Sequence, residues 1–192
     1  MINAFERNRD KIKFVNYHVP IYSVCEAFDS NPERFLFALF HWVPNFDKYK
    51  VMTAFENHVH SFKRTKPLVG SSPAEKGTVY VGDGAYGALI SEMCHPDASL
   101  GIFETFSKSN NFWYSEIYSD RVMHIAYDSH GKIIDNFTQL VSDYKIPASD
   151  NLAGEELGQE EAIEAPKHQY EDLWWNNILW LNNFILDLDL VF

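Results

Sequence analysis

The middle of the chain most constrains its fold. Five segments rich in β-branched or aromatic residues follow one another there, at 78–81, 100–106, 112–118, 121–127 and 132–137. Ser119-Asp120 and Asp128-Ser129-His130-Gly131 are the only residues between the last three. Gly131 is free to take a positive φ, which tight hairpin turns require. Connections this short join antiparallel neighbours, so the segments predict an antiparallel meander.

Upstream, Ile12, Phe14 and Val19 lie in a stretch of β-formers and predict a strand over 11–21. Ser30-Asn31-Pro32-Glu33 reads as a capping box with proline in the first helical turn. The helix it opens carries Phe35, Leu36, Leu39, Phe40 and Val43 on one face and ends at Pro44. Asn45 then caps a second helix, in which Phe46, Tyr49, Met52, Phe55, Val59 and Phe62 recur at three- and four-residue spacing. Lys48, Lys50, Glu56 and Asn57 fall on its solvent face. Residues 63–77, rich in Pro, Ser, Gly and Lys, read as a loop.

Downstream, residues 148–167 are rich in Ala, Gly and Glu and read as an acidic linker. A strong amphipathic helix follows over 169–186, with Leu173, Trp174, Ile178, Leu181 and Ile185 in one stripe that must be buried. Residues 187–192 alternate polar and apolar, as in an edge strand. The expected fold is α+β: an antiparallel β-meander packed with an N-terminal helix pair and a C-terminal amphipathic helix. One domain over 1–192 is expected, with a compact core at 1–147, the linker at 148–167 and the helix and tail at 168–192. A chain of 192 residues can bury such a core without staples.

Charge narrows the function. The net charge is -11, and it is unevenly placed. Residues 150–192 hold ten acids against the single base Lys167, whereas the remainder is nearly balanced. Direct binding to nucleic acid or an anionic membrane needs a basic footprint and is disfavoured. A basic protein would be attracted instead. Cys25 and Cys94 are too few for a disulfide framework, the first residues lack the pattern of a secretory signal, and no window approaches the roughly 20 apolar residues of a membrane span. A cytoplasmic setting is expected.

Few residues suggest chemistry. Gly82-Asp83-Gly84-Ala85-Tyr86-Gly87 matches the letters of the dinucleotide fingerprint, with Glu104 placed where the ribose-binding acid would be. Against this, Asp83 would repel a phosphate, and an antiparallel meander lacks the crossover helix of that fingerprint. A glycine turn is the better reading, leaving Gly82, Gly84, Gly87 and Glu104 as the weaker alternative. Cys94-His95 is a candidate nucleophile and base, but adjacent residues rarely point at one another, and nothing selects His41, His58, His60 or His124 as a partner. His58-Val59-His60 falls on the expected second helix, where the two imidazoles diverge; His18 and His41 are too dispersed to complete a set, so no metal site is expected. Glu104 and Glu116 sit in aromatic strands without a feature that chooses either as an acid or base.

The reading that absorbs most of these features is a binding protein without catalytic residues or cofactors. Bacterial immunity proteins, which neutralise basic toxins such as nuclease domains, are the class that a small, acidic, motif-poor chain fits by analogy. Glu155, Glu156, Glu160, Glu161, Glu164, Asp187 and Asp189 would form the occluding acidic surface, with Trp174 and Trp175 as anchors. The alternatives are a small enzyme or nucleotide binder using the 82–87 turn, and a homo-oligomer formed through the 169–186 helix.

Overall fold

The computed structural model describes residues 1–24, 32–82, 86–90 and 101–146, the side chains of 32–36 excepted. The chain runs α1 (Ile2–Arg7), β1 (Phe14–Tyr17), α2 (Pro32–His41), α3 (Val43–Lys48), β2 (Thr53–Glu56), β3 (Phe62–Thr65), β4 (Leu68–Val69), β5 (Ser72–Pro73), β6 (Val79–Gly82), β7 (Phe103–Ser107), β8 (Asn111–Ile117), β9 (Arg121–Asp128), β10 (Ile133–Leu140) and α4 (Val141–Tyr144). Helices and strands are mixed, and the class is α+β.

The meander is present. β8, β9 and β10 form an antiparallel sheet in the order β10-β9-β8, with Phe112 opposite Tyr127 and His124 opposite Phe137. Gly131 takes φ +78° in the turn between β9 and β10. The same turn is tied by the Asp128 carboxylate, which accepts from the backbone N–H of His130 (2.8 Å) and of Lys132 (2.9 Å). These bonds to the ionised form hold the Asp128 pKa below its ordinary value.

The other strands behave differently from the expectation. They form a mixed five-stranded sheet in the order β1-β2-β6-β3-β7. β1, β2 and β6 are parallel, with Val15 opposite Ala54 and Ala54 opposite Tyr80. β3 is antiparallel to both β6 and β7. The segments at 78–81 and 100–106 therefore belong to this sheet and not to the meander.

The second helix expected from Asn45 to Phe62 is overturned. α3 stops at Lys48, and β2 begins at Thr53. The reason lies in where β2 sits. Val51, Met52, Thr53, Ala54 and Glu56 are fully buried, because the sheet is covered on both faces. A strand buried on both faces loses the period-two alternation and reads as a continuous apolar run. Its large residues then matched a helical period by coincidence. Asn45 lies inside α3, where its Nδ2 donates to the carbonyl of His41 at 2.7 Å. The loop expected at 63–77 instead holds β3 and the β4–β5 hairpin. Gly70 (φ +53°) and Ser71 (φ +66°) form the hairpin's two-residue turn, where both central residues are left-handed.

The mixed sheet has a core on each face. Tyr17, Ala54 and Tyr80 point to the helical side and pack with Phe5, Val43, Phe46, Tyr49 and Leu68. On the other side Met52 packs with Val122, Val141 and Tyr144. Phe62 stacks on Trp113 with centroids 5.6 Å apart, joining the meander to β3. Among the described residues no helix is long and apolar enough to cross a membrane. The linker at 148–167 and the helix expected over 169–186 lie outside the described residues, as do the edge strand at 187–192 and the Ser30 cap of α2.

Candidate functional site

In sheets with parallel strands, ligands bind in the crevice outside the carboxyl ends of those strands. His18 follows directly on β1, and His58 stands two residues beyond β2. Because β1 and β2 are parallel neighbours, the two histidines arrive at the same edge. His58 Nδ1 and His18 Nε2 lie 2.9 Å apart, and the rings meet edge to face with centroids 4.8 Å apart. Both side chains are exposed to solvent.

The backbone here is held by Asn57. Its N–H donates to the carbonyl of His18 (3.1 Å). Its Nδ2 donates to Asn16 Oδ1 and to the carbonyl of Tyr17, both at 2.9 Å. Beyond Asn57 the chain tightens: Val59 N–H donates to the Asn57 carbonyl (2.8 Å), and Ser61 N–H to the Val59 carbonyl (2.5 Å). His58 takes φ +69°, a left-handed conformation uncommon for a residue with a side chain. Such outliers persist where the surroundings enforce them, and they cluster at functional sites.

Val59 is buried against Val24 and Phe103 and pins this turn to the body. His60 Nδ1 is 2.7 Å from the carbonyl oxygen of Leu89. A carbonyl only accepts, so Nδ1 carries the proton, and in the neutral ring the lone pair lies on Nε2. That is the tautomer of a metal-ligating histidine whose other nitrogen is held by the backbone. The divergence expected of His58 and His60 rested on a helix that does not form.

Behind the histidines lies a buried polar network. Glu56, the last residue of β2, is fully buried. Its Oε1 accepts from the Tyr17 hydroxyl and from the Ile21 N–H, each at 2.6 Å. Its Oε2 is paired with the ammonium of Lys63, which also donates to the carbonyl of Tyr22. Burial pushes the Lys63 pKa down, opposed by the Glu56 charge. Burial, with the same carboxylate, raises Tyr17 well above the ordinary tyrosine value.

The residues singled out from sequence fall as follows. Gly82 ends β6 beneath the Lys63 stem, which a Cβ there would overlap. Gly87 takes φ +72° in open space. Glu104 is exposed on β7, which β3 separates from β6. Glu116 accepts from the Tyr118 hydroxyl at 2.8 Å. His41 closes α2 against Phe37, with ring centroids 4.5 Å apart. His124 is buried between the two sheets. Gly84, Cys25, Cys94, Glu155, Glu156, Glu160, Glu161, Glu164, Trp174, Trp175, Asp187 and Asp189 lie outside the described residues. The pairing of His18 with His58 was missed. Its only trace in the sequence is a histidine just past each of two segments that prove to be parallel strands.

No protein-family model matches the chain, and no curated protein sequence matches it. Solved structures do. A purple acid phosphatase, PPD1 from yellow lupin (Lupinus luteus) seeds, is similar with a TM-score of 0.55 and 20% identity, over 65% of this chain and 24% of the phosphatase. GAP50, the anchor in the inner membrane complex of Plasmodium, is similar with a TM-score of 0.54 and 13% identity, over 77% of this chain and 42% of its own. The chain thus spans about a quarter of one structure and less than half of the other. At these identities the likeness is one of fold.

Proposed function

We propose that this chain carries the histidine-bearing part of a metal-dependent phosphoester hydrolase site, with His18 and His58 as imidazole donors. The observation that carries this reading is the meeting of His18 and His58 at the carboxyl ends of β1 and β2. Two nitrogens bound to one tetrahedral ion at about 2.0–2.1 Å stand about 3.3 Å apart. The observed 2.9 Å is a small ring rotation from that. Among the described residues no group of three or more His, Cys, Asp or Glu gathers at ligand distance, so His18 and His58 fit two positions of a coordination sphere. Likeness in fold to a purple acid phosphatase supports the phosphoester class.

A metal held here would polarise a phosphoryl oxygen and lower the pKa of bound water. The protein's own part is to aim the donors. Asn57 fixes the backbone between His18 and His58. The test is calorimetric titration of Zn2+ into the intact chain, beside His18→Ala and His58→Ala, with p-nitrophenyl phosphate turnover measured in parallel. Saturable binding lost in both variants is expected. A wild-type chain that binds no Zn2+ would sink the reading.

A second reading rests on the charge of residues 150–192. In it, that acidic segment and a C-terminal helix pack on the α+β body and occlude a basic cytoplasmic partner, as an immunity protein would. Charge reversal at Glu155, Glu156, Glu160 and Glu161 should then weaken capture of a basic nuclease domain in a salt-dependent way. Unchanged capture would remove this reading.

A further inference from the structure

His18, His58 and His60 sit on irregular backbone. Residues 18–24 and 57–61 lie beyond the strand ends, where no sheet ladder fixes them. Yet the chain on both sides of each is tied to one buried carboxylate. Glu56 lies two residues before His58. Its Oε1 holds Tyr17, next to His18, and the N–H of Ile21, three residues beyond it. Its Oε2 holds Lys63, three residues beyond His60, and Lys63 in turn holds the carbonyl of Tyr22. The Lys63 stem crosses Gly82 at the end of β6, where a side chain would block it. The network therefore spans all three parallel strand ends at the site.

A buried ion pair is a poor way to gain stability, because well-packed apolar residues of similar size serve as well or better. Its distinctive property is geometric: every donor and acceptor must be met at once, which admits one arrangement of the segments. We propose that Glu56 and Lys63 are positioning residues, a buried pair that sets where His18 and His58 stand relative to one another. The inference rests on the histidine site described above, and the experiment separates the two.

The variants are Glu56→Gln, Lys63→Met and the double variant Glu56→Gln/Lys63→Met, all in the intact chain. The double variant leaves no unpaired buried charge and keeps the fold testable if a single variant unfolds. The first readout needs no metal: nitrogen-15 NMR of the imidazole rings reports the tautomers of His18 and His58. Fixed, distinct tautomers are expected in the wild type and averaged signals in each folded variant. The second readout is Co2+ titration by calorimetry, with far-UV circular dichroism confirming the fold. Affinity in the folded variants should fall by about tenfold or more, as for groups that orient metal ligands. A folded double variant with wild-type tautomers and wild-type Co2+ affinity would overturn the positioning role while leaving the metal site standing. Averaged tautomers in the variants, with no Co2+ binding by the wild type, would uphold positioning and overturn the metal site.

Discussion

His124 Nε2 and Gln139 Oε1 lie 3.1 Å apart in a space closed to solvent between the meander and the mixed sheet. Gln139 Oε1 can only accept, so Nε2 carries the proton. Nδ1 then accepts from Ser115, whose hydroxyl oxygen is 2.8 Å away. Thr53, on β2, completes the set by donating to the same Gln139 oxygen at 2.6 Å. Phe137 stacks on the imidazole with centroids 4.6 Å apart. The neutral ring has its hydrogen bonds satisfied, and a second proton would have to enter an apolar, aromatic site. Burial accordingly pushes the His124 pKa from 6.5 down to about 4, opposed by the bond to Gln139.

That depression makes folding stability depend on pH. Above the unfolded value of 6.5, His124 is neutral in both states and contributes no slope. Between 6.5 and about 4 the unfolded chain binds the proton and the folded chain resists it, so stability falls as pH falls. The loss attributable to this residue should reach on the order of 3 kcal/mol by pH 4. Urea unfolding of wild type and His124→Gln at pH 7.5, 5.5 and 4.5 checks it. The variant should be less stable at pH 7.5 yet show a shallower decline with acid. Equal slopes would mean that His124 is not the group responsible.

The two sheets are also joined by charge. Arg64 on β3 donates to both carboxylate oxygens of Asp135 on β10, Nε at 2.6 Å and Nη2 at 3.1 Å. Its guanidinium lies 5.0 Å from the centroid of Phe137. Both partners are largely shielded from water, so truncating Asp135 leaves an ill-solvated cation without its fork partner. Asp135→Ala should cost about 2 kcal/mol in urea unfolding at pH 7. The same change at Asp120, whose exposed pair with Arg121 is at 3.0 Å, should cost under about 1 kcal/mol. Similar costs at the two sites would show that the inter-sheet bridge is no stronger than a surface pair.

Gly82 and Gly87 read alike as sequence but answer to different constraints. At Gly82 a Cβ would meet the Lys63 stem, whose ammonium is held at both Glu56 and Tyr22. Gly82→Ala should therefore cost about 1–3 kcal/mol through overpacking. At Gly87 nothing lies within 4 Å, but φ is +72°. Gly87→Ala should cost only about 1 kcal/mol, through backbone strain. Combining Gly82→Ala with Lys63→Met should remove much of the first penalty and none of the second. Thermal unfolding of the four variants decides it; additive Gly82→Ala and Lys63→Met effects would mean the two do not touch.

What was legible in the sequence follows the same physics. The meander could be read because each of its strands has one face on the core and turns rich in Ser, Asp and Gly. The mixed sheet could not, because β2 is buried on both faces and Glu56 within it looked like a surface residue. A charged residue in a fully buried strand has meaning only beside its partners, and Tyr17 and Ile21 are 39 and 35 residues from it along the chain. Losing β2 also lost the site. With 45–62 drawn as a helix, His58 and His60 pointed apart and His18 had no neighbour. The parallel pairing of β1 with β2, which sequence does not display, is what joins them.

The left-handed backbone at His58 gives a last expectation, in which stability and function oppose each other. A side chain at φ +69° costs roughly 1–2 kcal/mol, which glycine would not bear. The hydrogen bond between the His58 and His18 rings is exposed and contributes little to folding. Glycine gives back some of the advantage, about 0.5–1 kcal/mol, through the entropy of the unfolded chain. His58→Gly should therefore match or slightly exceed wild type in stability, whereas His58→Ala, which keeps the strain and loses the ring, should fall about 1 kcal/mol below His58→Gly. Both should lose Zn2+ binding equally. Urea midpoints and Zn2+ titrations on the same samples test the two halves together. If the two variants were equally stable, His58 would bear no backbone strain; if His58→Gly kept Zn2+ binding, the strain would serve something other than holding this imidazole against His18.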